Sequence, residues 1–93
     1  MEDSKRSVLQ LILQPYVLNI LHAVETEPKR FKDLKKYVKN DMTLSSKLSR
    51  LVDYGLVKIV PLKTERKYTN SYIISKKGKD VVGKLEKIPL GKD

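Results

Sequence analysis

The sequence predicts an α+β fold, mostly helical: a three-helix core, a β-hairpin and a C-terminal helix. Three observations lead there. Apolar residues recur at helical spacing as far as Gly55 and then switch to alternation. Helix-breaking or capping residues at Gln14-Pro15, Glu27-Pro28, Asn40-Asp41 and Gly55 divide the chain into short elements. With 93 residues, 40% of them hydrophobic, the chain has material for one core but not for two, so residues 1–93 read as a single domain.

Taken in order, Val8, Leu9, Leu11, Ile12 and Leu13 form an apolar stretch worth a helical turn or two before Pro15. Proline is favoured in a first helical turn, which predicts a helix from Pro15 in which Val17, Ile20, Leu21 and Val24 form one buried stripe. Glu27-Pro28 stops it, because the residue before proline avoids helical angles. Extended residues at Lys29–Phe31 lead into a short second helix carrying Phe31, Leu34 and Val38. Asn40 or Asp41, with Thr43 as a later candidate, caps a third helix whose buried stripe is Leu44, Leu48, Leu51 and Val52. Gly55 ends it in the left-handed conformation that glycine takes without penalty.

Val57 and Ile59, then Tyr72 and Ile74, each line one face of a strand, with β-branched Val60 and Ile73 between. The polar, basic segment from Lys63 to Thr69 is the hairpin tip. Pro61 cannot donate to a ladder, so its strand lies at an edge or is bulged. Ser75 caps a last helix with Val81, Val82, Leu85 and Ile88 on one face; Gly78 and Gly83 weaken it and Pro89 ends it.

Composition excludes several function classes. Without cysteine there is no disulfide scaffold, no thiol chemistry and no cysteine-ligated zinc or iron–sulfur site. His22 is the sole histidine, and Asp33, Asp41 and Asp53 fall on three separate elements, so neither a metal centre nor metal-dependent catalysis is expected, and no cofactor either. Apolar runs stop at three residues, as in Leu11-Ile12-Leu13, too few to span a bilayer. Lys5-Arg6 before an apolar stretch is faintly like a signal peptide. Gln10, Gln14, Pro15 and Asn19 interrupt the stretch, however, and no cleavage site follows, so a cytoplasmic protein is expected.

The net charge of +9, with a pI near 9.8, is unevenly placed. Residues 1–28 are net −2, residues 29–50 net +6, residues 58–79 again net +6, and the last fourteen neutral. Two basic blocks suggest a face for a polyanion; a lysine-rich solvated surface accounts for the same numbers. No segment pairs a basic face with a large aromatic or leucine face, as a membrane-surface helix would.

Two helices joined by a tight turn and followed by a basic hairpin is the winged helix-turn-helix order. The segment Leu44-Ser45-Ser46-Lys47-Leu48-Ser49-Arg50-Leu51-Val52-Asp53-Tyr54-Gly55-Leu56-Val57 resembles the recognition helix and following strand of MarR-like, ArsR-like and HxlR-like prokaryotic transcription regulators. Pro28 to Leu34 is similar to the segment entering their second helix, and Tyr72 to Gly78 to their second wing strand running into Ser-x-x-Gly. The likeness covers roughly residues 15–83, with a turn before the third helix about one residue short and no glycine in the wing.

The resemblance implies a homodimeric transcription regulator that binds double-stranded DNA, its recognition helix in the major groove and its wing on the minor groove or backbone. On this chain the recognition-helix candidates are Met42, Thr43, Ser45, Ser46, Lys47, Ser49 and Arg50. The wing candidates are Lys63, Thr64, Arg66, Lys67 and Tyr68, and Lys29, Arg30 and Lys32 suit the DNA backbone. Segments 1–14 and 75–88 are expected to dimerise through Val8, Leu9, Leu11, Ile12, Leu13, Val81, Val82, Leu85 and Ile88, because one small core cannot cover all of that apolar surface. The competing class is a protein-interaction module whose basic face meets an acidic partner.

Overall fold

Leu11 and Ile12, near the end of the first helix, are almost fully buried, and they show where the core starts. The computed structural model describes residues 2–86, with side chains over 7–85. Its elements are α1 (Glu2–Ile12), α2 (Val17–Ala23), β1 (Lys29–Arg30), α3 (Phe31–Leu34), α4 (Asp41–Asp53), β2 (Val57–Lys63), β3 (Tyr68–Ile74) and α5 (Lys76–Glu86). None of these helices is long and apolar enough to cross a membrane.

The N-terminal apolar stretch is a regular helix rather than a turn or two, and its apolar residues divide between two environments. Leu11 and Ile12 join Val17, Ile20, Leu21 and Val24 in the core, whereas Leu9 and Leu13 are 49% and 75% exposed. Helical geometry explains the split: positions two apart point to different sides of the helix. Val82 of α5 is buried in the same core, with Val8, Val81 and Leu85 partly buried against it. The two terminal segments are therefore not wholly surplus to one core, since Leu11 and Ile12 of the first and Val82 of the second are already covered within a single chain. Ile88 lies outside the described residues.

The second helix starts at Val17, not at Pro15. The chain reverses after α1 through bonds from Leu13 N–H to the Leu9 carbonyl and from Gln14 N–H to the Leu11 carbonyl, both 3.0 Å. Tyr16 then takes a left-handed φ of 71°, a conformation costing a non-glycine residue about 1–2 kcal/mol. The helix also ends earlier than Glu27-Pro28, at Ala23, and the chain feeds the two-residue strand β1. The next helix keeps only one regular turn, Phe31–Leu34. Beyond it, tighter i→i−3 bonds run from Lys35 N–H to the Lys32 carbonyl and from Tyr37 N–H to the Leu34 carbonyl.

Asn40 is the cap of α4: its Oδ1 accepts from Thr43 N–H at 2.9 Å. Thr43 thus sits inside the helix. At the other end Leu56 N–H reaches the Leu51 carbonyl and Gly55 N–H the Val52 carbonyl, both 2.9 Å, with Gly55 at φ 76°. That is a Schellman motif, with Leu51 and Leu56 both buried in the core.

The sheet is antiparallel with strand order β1-β3-β2. Pro61 therefore lies on an edge strand, opposite Asn70, where its missing N–H costs nothing. Ser75 N–H bonds the Leu56 carbonyl at 2.9 Å, and Ser75 Oγ donates to the Gly55 carbonyl at 2.5 Å while accepting from Gly78 N–H at 2.9 Å. One hydroxyl thus caps α5 and ties it to the end of α4. A Cβ on Gly78 would collide with the Leu56 carbonyl and the Ile74 side chain, so this glycine is required by a close approach.

Candidate nucleic-acid interface

The stripe Leu44, Leu48 and Leu51 turns one side of α4 into the core and leaves Met42, Ser45, Ser46, Ser49, Arg50 and Asp53 exposed on the other. Met42, Ser45, Ser46 and Ser49 form one wall of an open groove of about 440 Å³, completed by Asp41 and by Phe31 from α3. Ser45 and Ser49 also face a smaller hollow that runs between α4 and the hairpin base, where Ile59 and Tyr72 stand opposite each other. The outer face of α4 and the base of the hairpin are therefore one continuous surface. Phe31, Ile59 and Tyr72 were not among the residues the sequence pointed to. Their apolar character marks them for a core, and only the pairing of β2 with β3 reveals that Ile59 stays 46% exposed.

Two recognition-helix candidates sit elsewhere. Thr43 borders a separate hollow with Tyr16, Lys36, Tyr37, Val38, Lys39 and Asn40, about a quarter turn round α4 from Met42. Lys47 is half-buried, and its Nζ donates to Gln14 Oε1 at 3.3 Å, which directs the ammonium to the α1–α2 turn. Arg50 is exposed, with no ion pair among the described residues.

The hairpin closes by a four-residue loop, Thr64 to Lys67. Thr64 N–H and Thr64 Oγ1 both donate to the Lys67 carbonyl, at 2.7 and 2.9 Å. Among the described residues only Tyr16 and Gly55 have positive φ, so the tip needs no left-handed residue, which is why it needs no glycine. Thr64 is half-buried in closing the loop, while Lys63, Arg66, Lys67 and Tyr68 are exposed. Lys58, exposed on β2, adds a cation that the sequence counted only as charge. None of Lys58, Lys63, Arg66 and Lys67 makes an ion pair among the described residues.

The approach to α3 is different. Lys29 Nζ meets Glu27 Oε2 at 2.6 Å, and Arg30 Nε lies 3.5 Å from Asp33 Oδ2. The hydrogen bond from Lys29 holds the Glu27 carboxyl below its usual range, and the same bond raises Lys29. Asp33 is lowered chiefly by the Arg30 backbone N–H, which donates to Oδ2 at 3.0 Å. Two of the three backbone-contact candidates thus have their charge matched within the chain, and Lys32 alone stays exposed without an ion pair among the described residues. Asp41, beside the groove, is matched by Lys35 at 2.9 Å. Asp33 and Asp41 are thereby tied to bases rather than to each other, and no group of three His, Asp or Glu side chains converges among the described residues.

In its overall course the chain is similar to the crystal structure of diamide-treated YodB from B. subtilis, with a TM-score of 0.71, 19% identity, and coverage of 87% of this chain and 81% of that one. The fold is a winged helix. In that fold α3 and α4 are the helix-turn-helix pair, and β2 and β3 the wing. No protein-family model matches the sequence, and no curated protein matches it.

Proposed function

We propose that the chain is a cytoplasmic transcription regulator that binds double-stranded DNA as a homodimer. Helix α4 lies in the major groove and the wing rests on the backbone or the adjacent minor groove. One observation carries the reading: the unmatched cations Lys58, Lys63, Arg66 and Lys67 gather on the hairpin, whose base is continuous with the hydroxyl-rich face of α4. On the approach to α3, by contrast, Lys29, Arg30 and Lys35 are matched by Glu27, Asp33 and Asp41. An acidic phosphate backbone is the partner that complements uncompensated charge along a protruding ribbon, and short hydroxyl side chains let a helix approach the groove floor closely.

Support for the regulator class comes from the winged-helix fold and from the resemblance of Leu44 to Val57 to MarR-like, ArsR-like and HxlR-like recognition helices. A thiol switch has no target here, because the chain has no cysteine. The dimer is supported by Leu9 on α1 and Leu13 just after it, large apolar side chains left in water by one chain.

Binding of a random-sequence duplex, measured by fluorescence anisotropy across a salt series, tests the reading. The affinity should fall with a log–log slope near −0.9 per phosphate neutralised, with roughly four to eight phosphates engaged per dimer. A flat response would favour a module for an acidic protein partner.

A further inference from the structure

The α4 groove limits what the helix can read. Its lining is Phe31, Asp41, Met42, Ser45, Ser46 and Ser49. Discrimination in the major groove relies mainly on two-pronged contacts, from arginine or lysine to guanine and from asparagine or glutamine to adenine. None of those side chains lines this groove. Serine hydroxyls donate and accept alike, so they meet any base edge. A carboxylate suits the cytosine amine, but Asp41 is held by Lys35 at 2.9 Å on the α3 side. Arg50 lies nearly a quarter turn round the helix from Met42 and in its second half, placed for phosphates rather than the groove floor.

Two apolar side chains remain, and Phe31 is half-buried and packed against the core, which leaves Met42. It is 83% exposed, at the second position of α4, and it points away from the core because it stands half a turn out of phase with buried Leu51. Only one base offers the major groove an apolar group, the C5-methyl of thymine. We propose that Met42 is the specificity-determining residue of α4 and that it reads thymine through that methyl. The inference rests on the DNA-binding reading above. An unbranched thioether adapts its rotamer to a methyl whose position varies with local helix shape, which a stiffer β-branched side chain does poorly.

The test starts from duplexes selected out of a randomised pool by the wild-type protein. Each thymine in the bound site is replaced singly by deoxyuridine, which lacks only the methyl. In each half-site one replacement should weaken wild-type binding about fourfold, the equivalent of roughly one buried methyl group. Met42→Ala should bind the thymine and deoxyuridine duplexes equally, whereas Met42→Leu should keep the difference. Since Met42 is exposed, neither variant should alter thermal stability. A selected site without thymine, indifference of the wild type to every replacement, or persistence of the effect in Met42→Ala would overturn the proposal. Salt-dependent duplex binding would in those cases leave the DNA-binding reading standing, while absence of binding to any duplex would overturn both.

Discussion

The Val24 carbonyl accepts from the backbone N–H of Ile74 at 3.0 Å. Were α2 to continue, that carbonyl would meet the N–H of the residue four positions on, which is Pro28 and has none. The helix stops at Ala23, and the spare acceptor ties α2 to the end of the wing strand β3. The proline thus leaves spare the acceptor that anchors the sheet to the helical core, and the anchored strand then carries Ser75 and Gly78 to the end of α4.

At that junction two glycines of one helix should respond in opposite ways. Gly78→Ala forces a Cβ against the Leu56 carbonyl and the Ile74 side chain, and backbone cannot yield easily. A loss of about 1–3 kcal/mol is expected. Gly83 has nothing within 4 Å of a built Cβ, so Gly83→Ala should stabilise the protein by about 0.5–1 kcal/mol through helix propensity. Thermal or urea unfolding separates the two; equal effects of either sign would contradict the packing described here.

The cap of α4 gives a second expectation. Asn40→Ala removes the acceptor for Thr43 N–H and should cost about 1 kcal/mol, and Asn40→Asp should largely restore it. The loss would show in chemical unfolding, and restoration by aspartate would distinguish capping from a general effect of the site.

Asp33 sets an acid limb. Its carboxyl is held below the ordinary 3.8 by the Arg30 N–H, so it contributes stability above that ordinary value, and the contribution is lost as pH falls through the lowered one. Wild-type protein should therefore lose more stability below about pH 4 than Asp33→Asn, whose amide oxygen accepts the same bond without titrating. Melting curves between neutral pH and about pH 2 measure the difference, and parallel curves for the two proteins would contradict it.

Much of this arrangement is legible in the sequence, because periodicity and punctuation carry it. The stripe Leu44, Leu48 and Leu51, the stop at Gly55, the edge position of Pro61 and the cap at Ser75 each follow from local chemistry. What could not be read locally depends on distant partners. The end of α2 depends on an acceptor bond to Ile74, and the burial of Leu11 and Ile12 on where α1 packs. The left-handed Tyr16 depends on a chain reversal that Pro15 does not announce. The same holds at the interface: Lys29, Arg30 and Lys47 look alike in the sequence to Lys63, Arg66 and Lys67. Only the fold shows the first three engaged by Glu27, Asp33 and Gln14.

That difference in engagement predicts a difference in binding. Arg66→Ala and Lys67→Ala should weaken binding to all duplexes alike and each lower the salt slope by about 0.9. Lys29→Ala and Lys47→Ala should change the slope much less, since those ammonium groups already have partners. Salt titrations of the four variants decide the matter; a larger effect at Lys29 or Lys47 than at the wing would show that the DNA face lies elsewhere.

The proposed dimer is tested by where a charge is placed on α1. Leu13 is 75% exposed and Leu9 49%, whereas Ile12 is 1% exposed and packed in the core. Leu13→Asp leaves the single-chain core untouched, so it should yield a folded protein with unchanged helical content that sediments and scatters as one chain of 10.7 kDa, where the wild type scatters as two. Ile12→Asp buries an unpaired carboxylate and should unfold the chain itself, which makes it useless for probing association and useful as a control. Loss of the dimer should also cost operator affinity, because a two-fold pair presents two recognition helices to half-sites about 10 bp apart, or a multiple of that, and a single chain engages only one. Light scattering at micromolar concentration provides the reading. A wild-type mass near 10.7 kDa would refute the dimer, and a Leu13→Asp protein that stayed dimeric would place the interface away from the exposed side of α1.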